Sequence, residues 1–269
     1  MGYILSVYLR LISVQIRSQM QYRFPFLVEL VVTGFITISG FVTLAFVIQR
    51  FGSIAGWKLG EVAFLYGMVE TSFGIMDMIF SGFDPGNFGR QTRLGRFDQL
   101  LLRPVDITLQ VLGSEFIIRR LGRIFQGILI LILSLTMIQI RWTFIKLLYL
   151  PIVIASLIAF FGGLFIIGAT ISFWTLESIE IVNIFTYGGT EMMSYPMQIY
   201  PNWLRDFFSY VLPAIFLNYY PSLYFLDKPD PLHFPPIAPF LAPVAGFGVL
   251  GIALAFWQFG IRHYQSTGT

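Results

Sequence analysis

The stretch "LLYLPIVIASLIAFFGGLFIIGATISF", residues 147–173, contains no charged side chain. A helix needs roughly 20 predominantly apolar residues to cross a bilayer. This run alone is long enough to read as a membrane crossing. The rest of the chain agrees in character. Of the 269 residues, 56% are hydrophobic, 29 are phenylalanine and only 12% are charged, which is unlike an ordinary soluble domain.

Working outward, further apolar runs at 25–48, 61–83, 121–140 and 237–260 read as crossings. Pro25 falls just inside the start of its run, where a missing N–H does little harm. The last run follows "KPDPLHFPPIAP" (228–239), whose prolines forbid a continuous helix. Two segments compete for one further crossing. Residues 175–195 carry Glu177, Glu180, Asn183 and Glu191, whereas residues 207–225 are interrupted by Pro213 and Pro221. From the residues alone the choice stays open.

The N-terminal stretch lacks the basic region and small-residue site of a cleavable signal. Ser6, Arg10, Ser13, Arg17 and Gln21 fall within an arc of about 80° at helical spacing, with Ile4, Tyr8, Ile12 and Ile16 on the other side. This predicts an amphipathic helix over 3–22 lying in the membrane interface, with arginines toward lipid headgroups. With the N-terminus inside, the inner segments hold Arg10, Arg17, Arg23, Arg90, Arg93, Arg96, Arg103, Arg119, Arg120, Arg123 and Arg262. The outer ones hold Arg50, Lys58, Arg141, Lys146 and Lys228, and Arg205 depends on the undecided segment. The bias places both termini in the cytoplasm.

Several functions are excluded or disfavoured. With no cysteine there is no disulfide, thiolate metal site or Cys nucleophile. The glycines of a G-x-G-x-x-G at Gly246, Gly248 and Gly251 lie inside the last apolar run, where helix packing explains them better than a dinucleotide. None of Lys58, Lys146 and Lys228 precedes Ser or Thr, so there is no Walker A sequence. His233 and His263 fall on opposite sides of the membrane, and neither a zinc motif nor a nucleophile elbow is present. No catalytic residue, metal site or nucleic-acid partner is expected; membrane lipid is.

Two constellations remain. Glu70 and Asp77 are seven residues apart on one helical face of the second apolar run. Charge at membrane depth is expensive, so these acids face either a polar path or a partner. The other is "TRLGRFDQLLLRPVD" (92–106), in a cytoplasmic loop (84–119) too short for a domain. Residues 95–103 alternate charge with an apolar face of Phe97, Leu100 and Leu101 and stop at Pro104. They predict a short amphipathic helix that offers an apolar knob to a soluble partner or rests on headgroups.

"GRFDQLLLRPV" (95–105) resembles the cytoplasmic loop of ABC-2 type permeases, where a "GTLERLLATPV"-like stretch follows the second crossing. Gly95, Leu100 or Leu101, Leu102 and Pro104 carry the likeness; Arg103 stands where many members have a small or hydroxyl residue. "YPNWLRDFFSYVLPAIFLNYYPSLYF" (200–225) is similar to that family's hairpin through Pro201, Trp203, Leu204 and Pro213. "FWTLESIEIVNIFTYGG" (173–189) and the tail "FGIRHYQSTGT" (259–269) resemble a subgroup of the same permeases.

The resemblance implies an all-α integral membrane protein with six transmembrane helices in a single domain spanning 1–269. It further implies an N-terminal interfacial helix, a cytoplasmic coupling helix, and an outer re-entrant hairpin before the last helix. Residues 175–195 become the fifth crossing and 200–225 the hairpin. It implies a plasma-membrane permease subunit of an exporter, paired with a second permease, identical or related. Two separate ATPase subunits would hold the ATP and Mg²⁺. Gly95, Phe97, Asp98, Leu100, Leu101, Leu102, Arg103 and Pro104 would form the ATPase contact. Glu70, Asp77, Glu180 and Asn183 are candidates for the translocation path. The alternative is an ion-coupled secondary transporter or channel with no ATPase.

Overall fold

The computed structural model describes residues 2–21, 23–175 and 182–265, and among them the chain is helical with no strand. The elements are α1 (Gly2–Met20), α2 (Arg23–Phe51), α3 (Leu59–Ile79), α4 (Pro85–Arg93), α5 (Arg96–Leu101), α6 (Ile107–Leu112), α7 (Leu121–Met137) and α8 (Phe144–Ile171). After a π turn at Ile184–Gly188 come α9 (Gly189–Met193), α10 (Asn202–Asp206), α11 (Tyr219–Phe225) and α12 (Ala242–His263).

Four described helices are long and apolar enough to cross a membrane: Leu59–Ile79, Ile118–Met137, Phe144–Ile171 and Ala242–His263. In α2 the described apolar stretch is shorter, Gly34–Arg50. Of the segment expected at 175–195, residues 176–181 lie outside the described residues, and helix is present from Val182 to Met193.

Boundaries follow local chemistry. The helix expected over 61–83 stops at Ile79, because the chain tightens into a 3₁₀ turn at Ser81–Phe83. Asp84 then caps α4 by accepting the Asn87 N–H at 2.9 Å, with Pro85 at the first helical position. The last helix begins at Ala242 rather than 237, after a short 3₁₀ turn at Ala238–Phe240.

Along α3 almost every residue is buried, which puts it at the centre of the molecule. Its partner α7 approaches backbone to backbone. A Cβ added at Gly67 would sit 2.7 Å from the Leu131 nitrogen, and one at Gly127 would sit 2.5 Å from the Thr71 nitrogen. The α8–α12 pair closes the same way: a Cβ at Gly246 would lie 2.2 Å from the Ser156 carbonyl oxygen, and Gly163 abuts Leu250. Small residues permit such approaches between apolar helices. Of the three glycines in the G-x-G-x-x-G only Gly246 serves this purpose, while Gly248 and Gly251 face open space; Gly260, further along the helix, packs against the side chains of Thr170 and Phe173. Between the pairs, α3 meets α8 through rings instead, Phe73 lying 5.2 Å from Phe161 and 6.4 Å from Phe165 between centroids.

In α1 the expected sides separate: Arg10 and Arg17 are exposed, while Tyr8, Ile12 and Ile16 are half-buried. The inner side also carries a polar latch. Gln15 and Gln19 donate to the carbonyls of Ser114 and Phe116, and the Ile118 N–H donates to the Gln19 side chain at 3.1 Å.

A Gly127→Val substitution would push a side chain into the Thr71 backbone. It should destabilise the chain by about 1–3 kcal/mol, read as a lower melting temperature in detergent. Unchanged melting would show that α3 and α7 do not depend on this approach.

Candidate functional site

The loop between α3 and α7 folds as three short helices, α4 to α6, of which α5 lies in the stretch expected to form a short amphipathic helix, 95–103. Gly95 opens α5 from a left-handed conformation, φ +67°, which a residue with a Cβ rarely adopts. At the other end Asp106 caps α6 by accepting the Leu109 N–H at 3.0 Å. The Gln110 amide donates to the carbonyls of Leu100 and Val105, at 3.1 and 2.8 Å, and so holds the turn through Pro104 against α6.

The expected apolar face of Phe97, Leu100 and Leu101 does not point one way. Phe97 is only 1% exposed. Its ring lies 5.6 Å from Phe88, 5.0 Å from Phe173 and 4.8 Å from Tyr264. The slot it fills is built by elements remote in sequence, and an aromatic ring gains more from burial than a leucine does. Leu100 is half-buried. The outward apolar residues are Leu94 (61% exposed), Leu101 (41%) and Leu102 (87%), with Arg96, Arg103 and Pro104 exposed beside them. Asp98 sits at the base next to the Tyr264 hydroxyl; burial first, then this carboxylate, pushes the phenol up to about 12. Tyr264 therefore stays neutral at physiological pH.

The two acids of α3 also meet partners rather than a cavity. Glu70 (4% exposed) accepts a bidentate pair from Arg123 of α7, at 2.6 and 2.9 Å. The Arg123 guanidinium also lies 4.3 Å above the Phe73 ring. Asp77 (2% exposed) lies 2.8 Å from Arg120 Nε. That contact is close but not aligned as a hydrogen bond, so it acts as a charge pair. The arginine partners were not singled out from the sequence. The signal was there: two acids seven apart in one apolar run, and two arginines three apart at the head of the next.

Three of the four expected path residues lie among the described residues. Glu70 and Asp77 turn into α7, Asn183 is half-buried before the π turn, and Glu180 lies outside the described residues. Glu191 on α9 is exposed and within Coulombic reach of Glu70 and Arg123.

In the segment expected to form the hairpin, 200–225, Pro201 precedes α10, Trp203 is exposed, Leu204 is half-buried and Pro213 starts a 3₁₀ turn. Asn218 anchors it by donating to the carbonyls of Leu65 on α3 and Met193 on α9, at 3.2 and 2.8 Å. Two ion pairs fasten the following turn: Lys146 to Asp227 and Lys228 to Glu61, both at 2.7 Å.

A family model described as ABC-2 family transporter protein matches residues 35–268. The chain belongs to that family. No curated protein and no solved structure matches it. Membership makes the chain an ABC transporter permease, a membrane transport component that is not itself catalytic and that works in general with ATPase partners. Helices apolar enough to span a bilayer agree with a membrane protein.

Breaking one half of a buried ion pair in this permease strands the other charge. Glu70→Ala should therefore destabilise it by about 3–5 kcal/mol, and replacing Arg123 with Leu as well should recover much of the loss. Thermal unfolding of the four members of this cycle in detergent checks both statements.

Proposed function

We propose that the permease is the membrane-spanning subunit of an ABC exporter driven by two separate ATPase subunits, which hold the ATP and Mg²⁺. A second permease, identical or related, completes the pore. The chain crosses the plasma membrane six times: by α2, α3, α7, α8, the segment ending in α9, and α12. Both termini are cytoplasmic, α1 lies on the inner membrane surface, and residues 200–225 form an outer re-entrant hairpin.

The observation that carries this reading, beside family membership, is the outward ridge of Leu94, Leu101 and Leu102 flanked by Arg96 and Arg103. It belongs to a small loop whose other side is packed into the protein through Phe97. Exposed leucines on a firmly held backing suit docking of a soluble subunit, which supplies the apolar cover they lack. Within the proposed contact (Gly95, Phe97, Asp98, Leu100, Leu101, Leu102, Arg103 and Pro104) the roles divide. Leu101, Leu102 and Arg103 touch the ATPase; Gly95 and Pro104 bound the helix; Phe97, Asp98 and Leu100 hold it in place. Glu180 and Asn183 line the translocation path, and Glu70 and Asp77 border it as ion-paired wall.

A pull-down from native membranes in mild detergent tests the docking face. An ATPase should co-purify with the wild-type chain and be lost from the Leu101→Asp, Leu102→Asp variant while its melting temperature is kept. Absence of any ATPase from the wild-type preparation would favour an ion-gradient transporter instead.

A further inference from the structure

We infer that movement of the ATPase is passed to the α8–α12 helix pair through one buried aromatic nest, in which Phe97 and Trp257 are positioning residues. This rests on the docking proposed above and adds where the force goes next.

Trp257 of α12 is fully buried, and three rings of the cytoplasmic loop close on it: Phe83 at 5.0 Å, Phe88 at 5.4 Å and Phe97 at 6.2 Å. Phe173, just past the end of α8, stacks on Trp257 at 5.4 Å, and Tyr264 covers Phe97. The Trp257 indole N–H donates to the Thr108 hydroxyl of α6 at 3.2 Å. The nest thus joins α4, α5 and α6 to the cytoplasmic ends of both α8 and α12. Edge-on and stacked rings at these separations resist sliding because each has a preferred geometry.

The pair that receives the push is itself stiff. Backbone contacts at Gly246–Ser156 and Gly163–Leu250 leave no room for α8 and α12 to shift past each other. The α3–α7 pair is equally closed, by Gly67, Gly127 and the two ion pairs. Between the two pairs, the α3–α8 seam is made of side chains such as Phe73 against Phe161, the kind of contact along which helices shear by small rotamer adjustments. A push on the docking ridge therefore moves the loop, α8 and α12 as one body against α3 and α7.

The absence of cysteine allows a direct test. A Cβ added at Gly89 in α4 would stand 3.3 Å from the Ser172 Cβ at the end of α8, close to disulfide spacing. Three variants are compared, each as the complex with its ATPase in nanodiscs: Phe97→Ala, the oxidised Gly89→Cys, Ser172→Cys pair, and both together. Hydrogen exchange of the hairpin, residues 200–225, is measured with and without MgATP plus vanadate, alongside ATPase co-purification.

The expected result is that wild type and the disulfide pair show the nucleotide response. Phe97→Ala loses it while retaining the ATPase, and the disulfide restores it in Phe97→Ala. Three results would overturn the inference: a full response in Phe97→Ala, a response blocked by the disulfide alone, or no recovery in the combined variant. Loss of the ATPase from Phe97→Ala would make Phe97 part of docking instead. A wild-type chain without ATPase would remove the parent reading, and the inference with it.

Discussion

Two carboxylates sit on a helix that is buried on almost every side, and the packing of the molecule answers to them. Glu70 and Asp77 cannot remain ionised in an apolar surrounding without cations, and α7 and the turn leading into it bring Arg123 and Arg120 to them. That demand fixes which helix lies beside α3 and in what register. Gly67 and Gly127 then let the two backbones close to the distance at which the guanidinium of Arg123 meets both oxygens of Glu70. An apolar helix pair could pack in several registers, but the charges select one. Selection, rather than stability, is the stronger reason to place ions there.

The same pair sets the geometry at the end where α3 stops and α7 begins. Because α3 stops at Ile79 and α7 begins at Leu121, the intervening loop has to lie across the ends of the other helices. It is received there by Phe173, Trp257 and Tyr264, and held from the N-terminal side by Gln15 and Gln19 of α1. A loop of this length would be mobile if it were merely polar. Here its large rings point inward, so it presents a firm outer surface of leucines and arginines. Firmness is what the proposed force-transmitting contact with an ATPase requires.

The long apolar runs were legible because hydropathy over some twenty residues is a strong signal, as in 147–173. The opening of α5 was legible in Gly95, whose type matches the left-handed backbone found there. The orientation of Phe97 was not. Its helix has one and a half turns, too few for periodicity to define a face, and the slot that takes its ring is assembled from residues 88, 173, 257 and 264. The role of the acids was half legible. Their position in an apolar run announced that something must neutralise them, but only the pairing of α3 with α7 showed which cations do so. Helix ends were the least readable, since the 3₁₀ turns at Ser81–Phe83 and Ala238–Phe240 look apolar in sequence.

We propose that the outward face of this loop is where a soluble ATPase meets the permease. In the cysteine-free chain, Leu102→Cys can carry a short photoactivatable crosslinker at the most exposed leucine of the ridge. Irradiation in native membranes, followed by mass spectrometry of the adduct, identifies what touches that position. The expected adduct is with a nucleotide-binding ATPase subunit. Adducts with lipid alone would contradict ATPase docking and make the ridge a surface that rests on headgroups.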